Sequence, residues 1–507
     1  MAQFNFSAEM MKMAAQPRLL DFDNTYAALP ERLYARQPPA PVAEPRLLLF
    51  NEALADDLRI ARNGLSDSQW ASIWAGNTVL AGAAPLAMAY AGHQYGQFVP
   101  SLGDGRALLL GEVLDKHGER YDIQLKGSGV TPFSRRGDGR AALGPVLREY
   151  LVSETMHTFG VPTTRALAAV TTGERVLREQ ALPGAVLTRV ARSHVRVGTF
   201  QYFAARGDLE AVRVLADYVS ERHYPQTKHA ANPALALLDA VLERQALLMA
   251  HWLNIGFVHG VMNTDNMAIA GETIDYGPCA FMDAYDPQTV FSSIDHYGRY
   301  AYGNQPVIAQ WNLTRLAETL VPLIDADENR AVAQAKECLE SFVPRFEAHW
   351  LAGMRRKLGL VDERDTDKSL VEDLLELMRD QNADFTLTFR YLSRAADPST
   401  DAGEFLALLG NTPPALAWLE RWQQRLHEQT PGPQERAQAM YQVNPAFIPR
   451  NHRIEQALTA AVEQGDLGPF ETLRRILARP YTEQPEYAEY MQPPQPNERV
   501  YQTFCGT

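Results

Sequence analysis

In residues 259–277, HGVMNTDNMAIAGETIDYG, an adjacent Asp–Asn pair and a second aspartate are separated by an apolar MAI, an AGE turn and a short TI run. A chain patterned this way is expected to turn back on itself as a short hairpin, bringing Asn266 and Asp275 together. The preceding stretch, ALALLDAVLERQALLMAHWL, carries enough apolar residues at helical spacing for a buried core helix, which delivers the chain to His259.

Upstream the periodicity is different. RALLLGEVL (106–114) and RYDIQLKG (120–127) read as strands joined by a KHGE turn, with Leu108, Leu110, Ile123 and Leu125 as apolar strand positions. From Ala141 to Phe159 the spacing becomes helical, until Gly160 and Pro162 stop it. GAVLTRVA (184–191) is a further strand, and Leu209 to Leu253 holds two or more long helices. After about residue 310 nearly everything reads as helix broken by Pro and Gly. RQPPAPVAEPR (36–46) reads as a surface linker or wrapping arm, and the Pro-, Gln- and Tyr-rich stretch beyond Arg479 as an extended tail. A strand-rich segment, one helix and then a helix-rich region is the order of a two-lobed protein kinase.

The chemistry-bearing residues fit that order. A kinase catalytic loop runs His-Arg-Asp, four residues, Asn, with a metal-binding Asp-Phe-Gly after it. On this template His259 and Asn266 take the outer positions, Asp275 of Asp-Tyr-Gly takes the metal position, and Val261 stands where the catalytic aspartate belongs. Asp265 is near enough to act as a base on an incoming hydroxyl, or to orient it. Asn266 and Asp275 offer the oxygen ligands that suit Mg²⁺ bridging nucleotide phosphates. Gly103 and Gly105 in SLGDGRA let backbone N–H groups approach phosphate, although Asp-Gly is also a common hairpin turn. Lys126 ends a strand and is followed by a helix bearing Glu149, the arrangement that holds a kinase lysine on the phosphates. Glu154 lies on another face of that helix, and periodicity does not choose between the two. Residues 174–196 hold five arginines against two glutamates, which in an acidic chain suggests anion handling; Arg189 and Arg196 are the better candidates.

Composition narrows the class. At 507 residues the chain can bury a large core, and a formal charge of −13 opposes general nucleic-acid binding. Cys279, Cys338 and Cys505 are too few for a disulfide scaffold. The N-terminus has neither signal-peptide nor transit-peptide character, and VLAGAAPLAMAYAG (79–92) is too short to span a membrane. A cytoplasmic protein without a membrane partner is expected.

The stretches AGHQYGQFVPSLGDGRA, DIQLKGSGVTPFSRRGDGRA, REYLVSETMHTFGVPTTRAL, HGVMNTDNMAIAGETIDYGPCAFMD, GNQPVIAQWNLTRLAETL and NPAFIPRNHRIEQAL, with the terminal TFCGT, closely resemble the selenoprotein O family. The resemblance implies an α+β, protein-kinase-like two-lobed fold. Residues 1–88 would be an N-terminal extension, 89–183 the N-lobe, 184–345 the C-lobe with the catalytic and metal loops, 346–480 a helical C-terminal region, and 481–507 an extended tail. It also implies a protein adenylyltransferase that moves AMP from ATP to Ser, Thr or Tyr hydroxyls of protein substrates, with ATP reversed relative to a kinase. On that resemblance Gly103, Gly105, Arg106, Lys126, Asp138, Gly139, Arg189, Arg196 and Asp275 bind ATP, Glu149 steadies Lys126, Asp265 is the base, and Asn266 and Asp275 hold Mg²⁺. UMP transfer with Mn²⁺ is a variant of the same class, and a monomer is expected. Some relatives carry selenocysteine near the C-terminus where this chain has Cys505, which suggests a redox disulfide between Cys505 and Cys279. A phosphotransferase and a silent ATP-binding scaffold are the rival readings.

Overall fold

The computed structural model describes residues 19–60, 64–397, 399–430 and 432–504. Its strands, in chain order, are β1 (Tyr34–Arg36), β2 (Arg46–Phe50), β3 (Leu86–Met88), β4 (Gly92–Gln94), β5 (Gln97–Val99), β6 (Ala107–Leu114), β7 (Arg120–Lys126), β8 (Ala141–Ala142), β9 (Arg165–Leu177), β10 (Ala181–Ala191), β11 (Phe257–Val258) and β12 (Ala280–Phe281). Eight of them form one antiparallel sheet ordered β1-β3-β6-β7-β10-β9-β2, with β8 against β10. The chain is thus a mixed α and β protein.

The expected strands appear as β6, β7 and β10, and the expected helix as Leu143–Thr158, with Gly160 in a left-handed conformation just beyond it. β9 was not anticipated, although its RALAAV start is apolar enough for a central strand. β1, β2 and β3 all precede residue 89, so the stretch expected as an extension supplies both edges of the sheet, and the expected boundary at 183/184 falls inside β10. The Pro-rich stretch between β1 and β2 does wrap the surface, pinned where Ala40 N donates to Ser128 O at 2.8 Å.

Alternation gives the sheet two chemically different faces. Ile123, Leu125, Val186 and Val190 pack with Trp70 and Trp74 of the Asp67–Trp74 helix, itself started by a Ser66–Gln69 capping box. Gln124 and Lys126 point the other way, and Arg189 stands directly opposite Gln124. That second face is covered by the Leu143–Thr158 helix, whose Leu147, Tyr150 and Leu151 pack with Leu187.

The helix Pro233–Asn254 begins at Asn232, whose side chain accepts from Leu235 N, and buries Leu238, Val241, Leu242 and Met249. Gly256 then turns the chain in a left-handed conformation into β11, which pairs with β12 and closes the base of the loop between them. The later helices build a separate core around Phe389, Trp418 and Trp422. No helix among the described residues is long and apolar enough to cross a membrane. The segment beyond Arg479 is not wholly extended: it includes a short 3₁₀ turn at Pro485–Tyr490.

Candidate active site

The loop between β11 and β12 does not fold as the simple hairpin expected from its pattern. A turn does form, with Gly271 N donating to Ala268 O, but its two arms are taken by other parts of the chain. Val197 N donates to Met267 O and Ile269 N to Val195 O, while Thr164 N donates to Thr273 O and Thr273 N to Pro162 O. Backbone groups in a buried loop need partners, and the nearest extended segments supply them. The outcome is useful, because it draws Arg196 alongside the Asn266 arm. His259 is structural: it is buried, stacks on Trp252, and bonds Ile274 O through Nε2 at 2.8 Å.

Asp275 lies at the centre of a charge network. Lys126 Nζ is 2.6 Å from Glu149 and 3.1 Å from Asp275, and Arg189 Nη2 is 2.5 Å from Glu149 and 2.6 Å from Asp275. Arg196 reaches Asp275 Oδ2 at 3.7 Å and lies over the Tyr90 ring. Burial alone would push both carboxyls up; Arg189 and Lys126, joined at Asp275 by Arg196, hold Asp275 well below the ordinary carboxylate range and Glu149 below it. The rivalry between the two glutamates is also decided. Glu154 turns away to Arg165, at 2.8 and 2.9 Å, and to Asn51. Asp275 adopts a φ of +63°, an uncommon conformation for a residue other than glycine.

Asp265 has the opposite electrostatics. It sits in a 3₁₀ turn, Thr264–Asn266, and burial pushes its carboxyl up to about 6, with Arg196 only partly offsetting this. Its Oδ2 accepts a long bond from Gln94 at 3.4 Å, and its Oδ1 is buried with no hydrogen-bond partner among the described residues. The β4–β5 hairpin clamps this turn: His93 N donates to Thr264 Oγ1 at 2.7 Å and Tyr95 N to Asn263 Oδ1 at 3.0 Å. A Cβ at Gly92 would collide with Asp265 Oδ1 itself, so only glycine allows this approach.

These groups open onto a cleft of about 480 Å³ lined by Lys126, Glu149, Arg189, Arg196, Asp265, Asn266 and Asp275, together with Gly105 and Arg106. A second cleft of about 530 Å³ adjoins it and is lined by Gly103, Asp138 and Gly139. Every ATP-site residue expected from the sequence therefore borders one cleft or the other. One detail is corrected. The N–H groups of Gly103, Asp104 and Gly105 donate to Tyr90 O, Met88 O and Gly103 O, so these three are already used within the fold. The turn's glycines serve packing, since a Cβ at Gly103 would run into the Phe133 ring. Asp138 is held low by a forked bond from Arg178, at 2.8 and 3.2 Å.

Sequence reasoning missed Tyr90, Gln94, Asp104 and Asn263. Asp104 Oδ2 accepts from Met88 N and Gln124, and burial pushes its carboxyl up. The Gln94-Tyr95-Gly96-Gln97 turn, with left-handed Tyr95 and Gly96, was a legible hairpin signal. Among the described residues no group of three His, Cys, Asp or Glu side chains could hold a metal ion. A two-oxygen set from Asn266 and an ionised Asp275 fits Mg²⁺, which keeps waters and takes further ligands from substrate phosphates. Cys279 is buried, and burial pushes its thiol up to about 11. Cys505 lies outside the described residues, but Thr503 pairs with Ser292 and donates to Pro278 O at 2.5 Å, next to Cys279.

The family model described as protein adenylyltransferase SelO matches residues 18–478. A protein of Rhizobium etli named protein nucleotidyltransferase YdiU is 62% identical over 486 residues, covering 96% of this chain and 97% of its own. Similar proteins of the same name occur in Rhizobium meliloti, 62% identical over 487 residues, and Rhodopseudomonas palustris, 60% identical over 486; each match covers 96% of this chain and 99% of the relative.

Proposed function

The chain belongs to the protein adenylyltransferase SelO family, and from that premise we propose that it transfers AMP from ATP to Ser, Thr or Tyr hydroxyls of protein substrates. The observation that carries the reading is Asp265: a buried carboxylate with one oxygen unpartnered among the described residues, beside a cationic cleft, and displaced from the kinase base position held by Val261. Lys126, Arg189 and Arg196 are suited to neutralise a polyphosphate, and Glu149 orients the first two. Asn266 and Asp275 would hold Mg²⁺, which supplies further charge neutralisation at the phosphates. Mn²⁺ with UTP is the variant the same residues would serve. In this reading the β- and γ-phosphates occupy the deeper, cationic cleft, and the nucleoside reaches Asp138 and Gly139 in the second cleft. Asp265, which borders both, takes the proton of the acceptor hydroxyl as it attacks the α-phosphorus.

The antiparallel sheet with its Glu149 helix, followed by the helices around Pro233–Asn254, is read as the two lobes of a kinase-like fold. Cys505 and Cys279 would form a redox disulfide that ties the tail over the site, and finding both thiols free in mass mapping of the oxidised, non-reduced protein would overturn it.

The deciding experiment incubates the protein with Mg²⁺ and ATP labelled at either the α- or the γ-phosphate, beside an Asp275→Ala control. Protein-bound label from the α-phosphate alone, lost in the control, is expected. Label from the γ-phosphate would make the protein a kinase, and label from neither, with reductant present, a silent binder.

A further inference from the structure

Between Lys126 and the Leu143–Thr158 helix lies a loop, GSGVTPFSRRGDGR, whose central arginines have no role in the account above. It is fastened to the Gly103–Arg106 turn: Ser134 Oγ donates to Gly105 O at 2.5 Å and Thr131 Oγ1 to Asp104 O at 2.7 Å. Gly129 N also donates to Gly139 O at 3.0 Å, closing the loop at its base. These bonds fix where the loop holds its side chains. Arg135 and Arg136 both have positive φ, +50° and +88°, in consecutive non-glycine positions. Such conformations are unfavourable for residues other than glycine and persist where the surroundings impose them, often at functional sites.

Arg135 borders both clefts, as Asp265 does, whereas Arg136 borders only the second. Of the other four arginines of the second cleft two are engaged, Arg140 with Glu174 at 3.3 Å and Arg178 with Asp138 at 2.8 Å; Arg106 borders both clefts as Arg135 does, and it is already among the residues expected to bind ATP. Arg135 has no carboxylate or hydrogen-bonding partner among the described residues, and it is exposed rather than buried in the network of Asp275. An always-charged, forked donor is therefore held free, at the junction that Asp265 also faces.

Resting on the reading of the site given above, we propose that Arg135 is a catalytic residue that contacts the non-bridging oxygens of the α-phosphate. In the reaction the acceptor hydroxyl oxygen bonds to the α-phosphorus and its proton passes to Asp265. The bond from the α-phosphorus to the α,β-bridging oxygen breaks, and pyrophosphate leaves with that electron pair. Negative charge on the α-phosphoryl oxygens is redistributed in the transition state, and a guanidinium at the junction of the clefts stabilises it there. Lys126, Arg189 and Arg196 face the leaving pyrophosphate instead, so their charge does not replace that of Arg135.

The test is AMP transfer from α-labelled ATP by the full-length protein, with ATP affinity measured separately by equilibrium binding. Arg135→Gly is the informative variant, because glycine accepts a φ of +50° without strain and keeps the loop's shape. It is expected to lower kcat by about 10²–10³-fold, in the range of other lost transition-state donors, with ATP affinity changed less than about threefold. Added guanidinium ion is expected to restore part of the lost rate, and Arg135→Lys to recover only a small part, since an ammonium lacks the fork. Arg136→Gly, the control for loop shape, is expected to keep kcat. Full kcat in Arg135→Gly, or an equal loss in Arg136→Gly, would overturn the proposal while leaving AMP transfer by the wild type standing. A wild type that transfers γ-label or nothing would overturn both.

Discussion

Arg189 and Arg450 are each almost wholly buried, and each is held by two carboxylates: Arg189 by Glu149 and Asp275, Arg450 by Asp283 and Asp384. Around Arg450 the set borders neither cleft, although the arginine's Nε has no partner among the described residues. Its second nitrogen donates to Met491 O at 2.7 Å, and Asp384 also caps the Phe385–Ala395 helix by accepting from Leu387 N. That cluster ties the tail, a C-terminal helix and the segment after β12 into one joint. Around Arg189 the set is open. Lys126 and Arg196 add two cations, Asp275 faces a cleft, and nearby Asp265 Oδ1 has no partner among the described residues. A buried ion pair by itself is therefore no sign of a functional site. The sign is a charge network whose partners are incomplete on the side facing a cleft.

Replacing each arginine by methionine tests that contrast most sharply. Arg450→Met leaves the buried Asp384 and the part-exposed Asp283 without their shared arginine, and should cost about 3–5 kcal/mol in urea unfolding. Arg189→Met leaves Glu149 and Asp275 still facing Lys126, so a loss of about 1–2 kcal/mol is expected, accompanied by loss of AMP transfer. Equal destabilisation of the two variants would erase the distinction.

A smaller effect with the reverse sign is expected at Asp265. Its folded carboxyl, raised from the ordinary 3.8 to about 6, binds its proton more tightly than in the unfolded chain. The native state therefore loses stability as pH rises from about 4 to about 6. Asp265→Asn removes that penalty and should gain about 3 kcal/mol at pH 7, while AMP transfer falls about 10²–10⁴-fold. In the wild type the same ionisation should make kcat/KM fall tenfold per pH unit below about 6 and level off above it. A variant that is both less stable and inactive would show that Asp265 is a structural carboxylate like Asp384.

The smallest effect belongs to the glutamate that periodicity could not separate from Glu149. Glu154→Gln weakens a partly exposed pair with Arg165 and should cost under about 1 kcal/mol. AMP transfer should be unchanged, and a loss comparable to that of Glu149→Gln would mean the helix presents both glutamates to the cleft.

Local periodicity made β6, β7, β10 and the Glu149 helix readable, because alternation and helical spacing are set by which side chains must leave water. Lys126, Asn266 and Asp275 were readable for a related reason: their chemistry and order match a known loop. β9 was overlooked because its polar second half, TTGERVL, masks an apolar start. Gln94 and Asp104 were overlooked because the Tyr95-Gly96 and Gly103–Gly105 signals mark turns only; it is the β4–β5 hairpin and the sheet that bring the two side chains to the cleft.

The sequence by itself determined that β6, β7, β10 and the Glu149 helix form, which residue types could serve phosphate and metal, and the family to which the chain belongs. Only the tertiary structure decided that Glu149 rather than Glu154 meets Lys126, that the arms of the Asn266–Asp275 loop pair with other segments, that the Gly103–Gly105 N–H groups are already used, and that Arg135, with no partner among the described residues, borders the same two clefts as Asp265. The physical reason is range. Burial patterns follow from neighbours a few residues away, whereas charge pairing, desolvation and unmet hydrogen bonds depend on groups that folding brings together from distant parts of the chain.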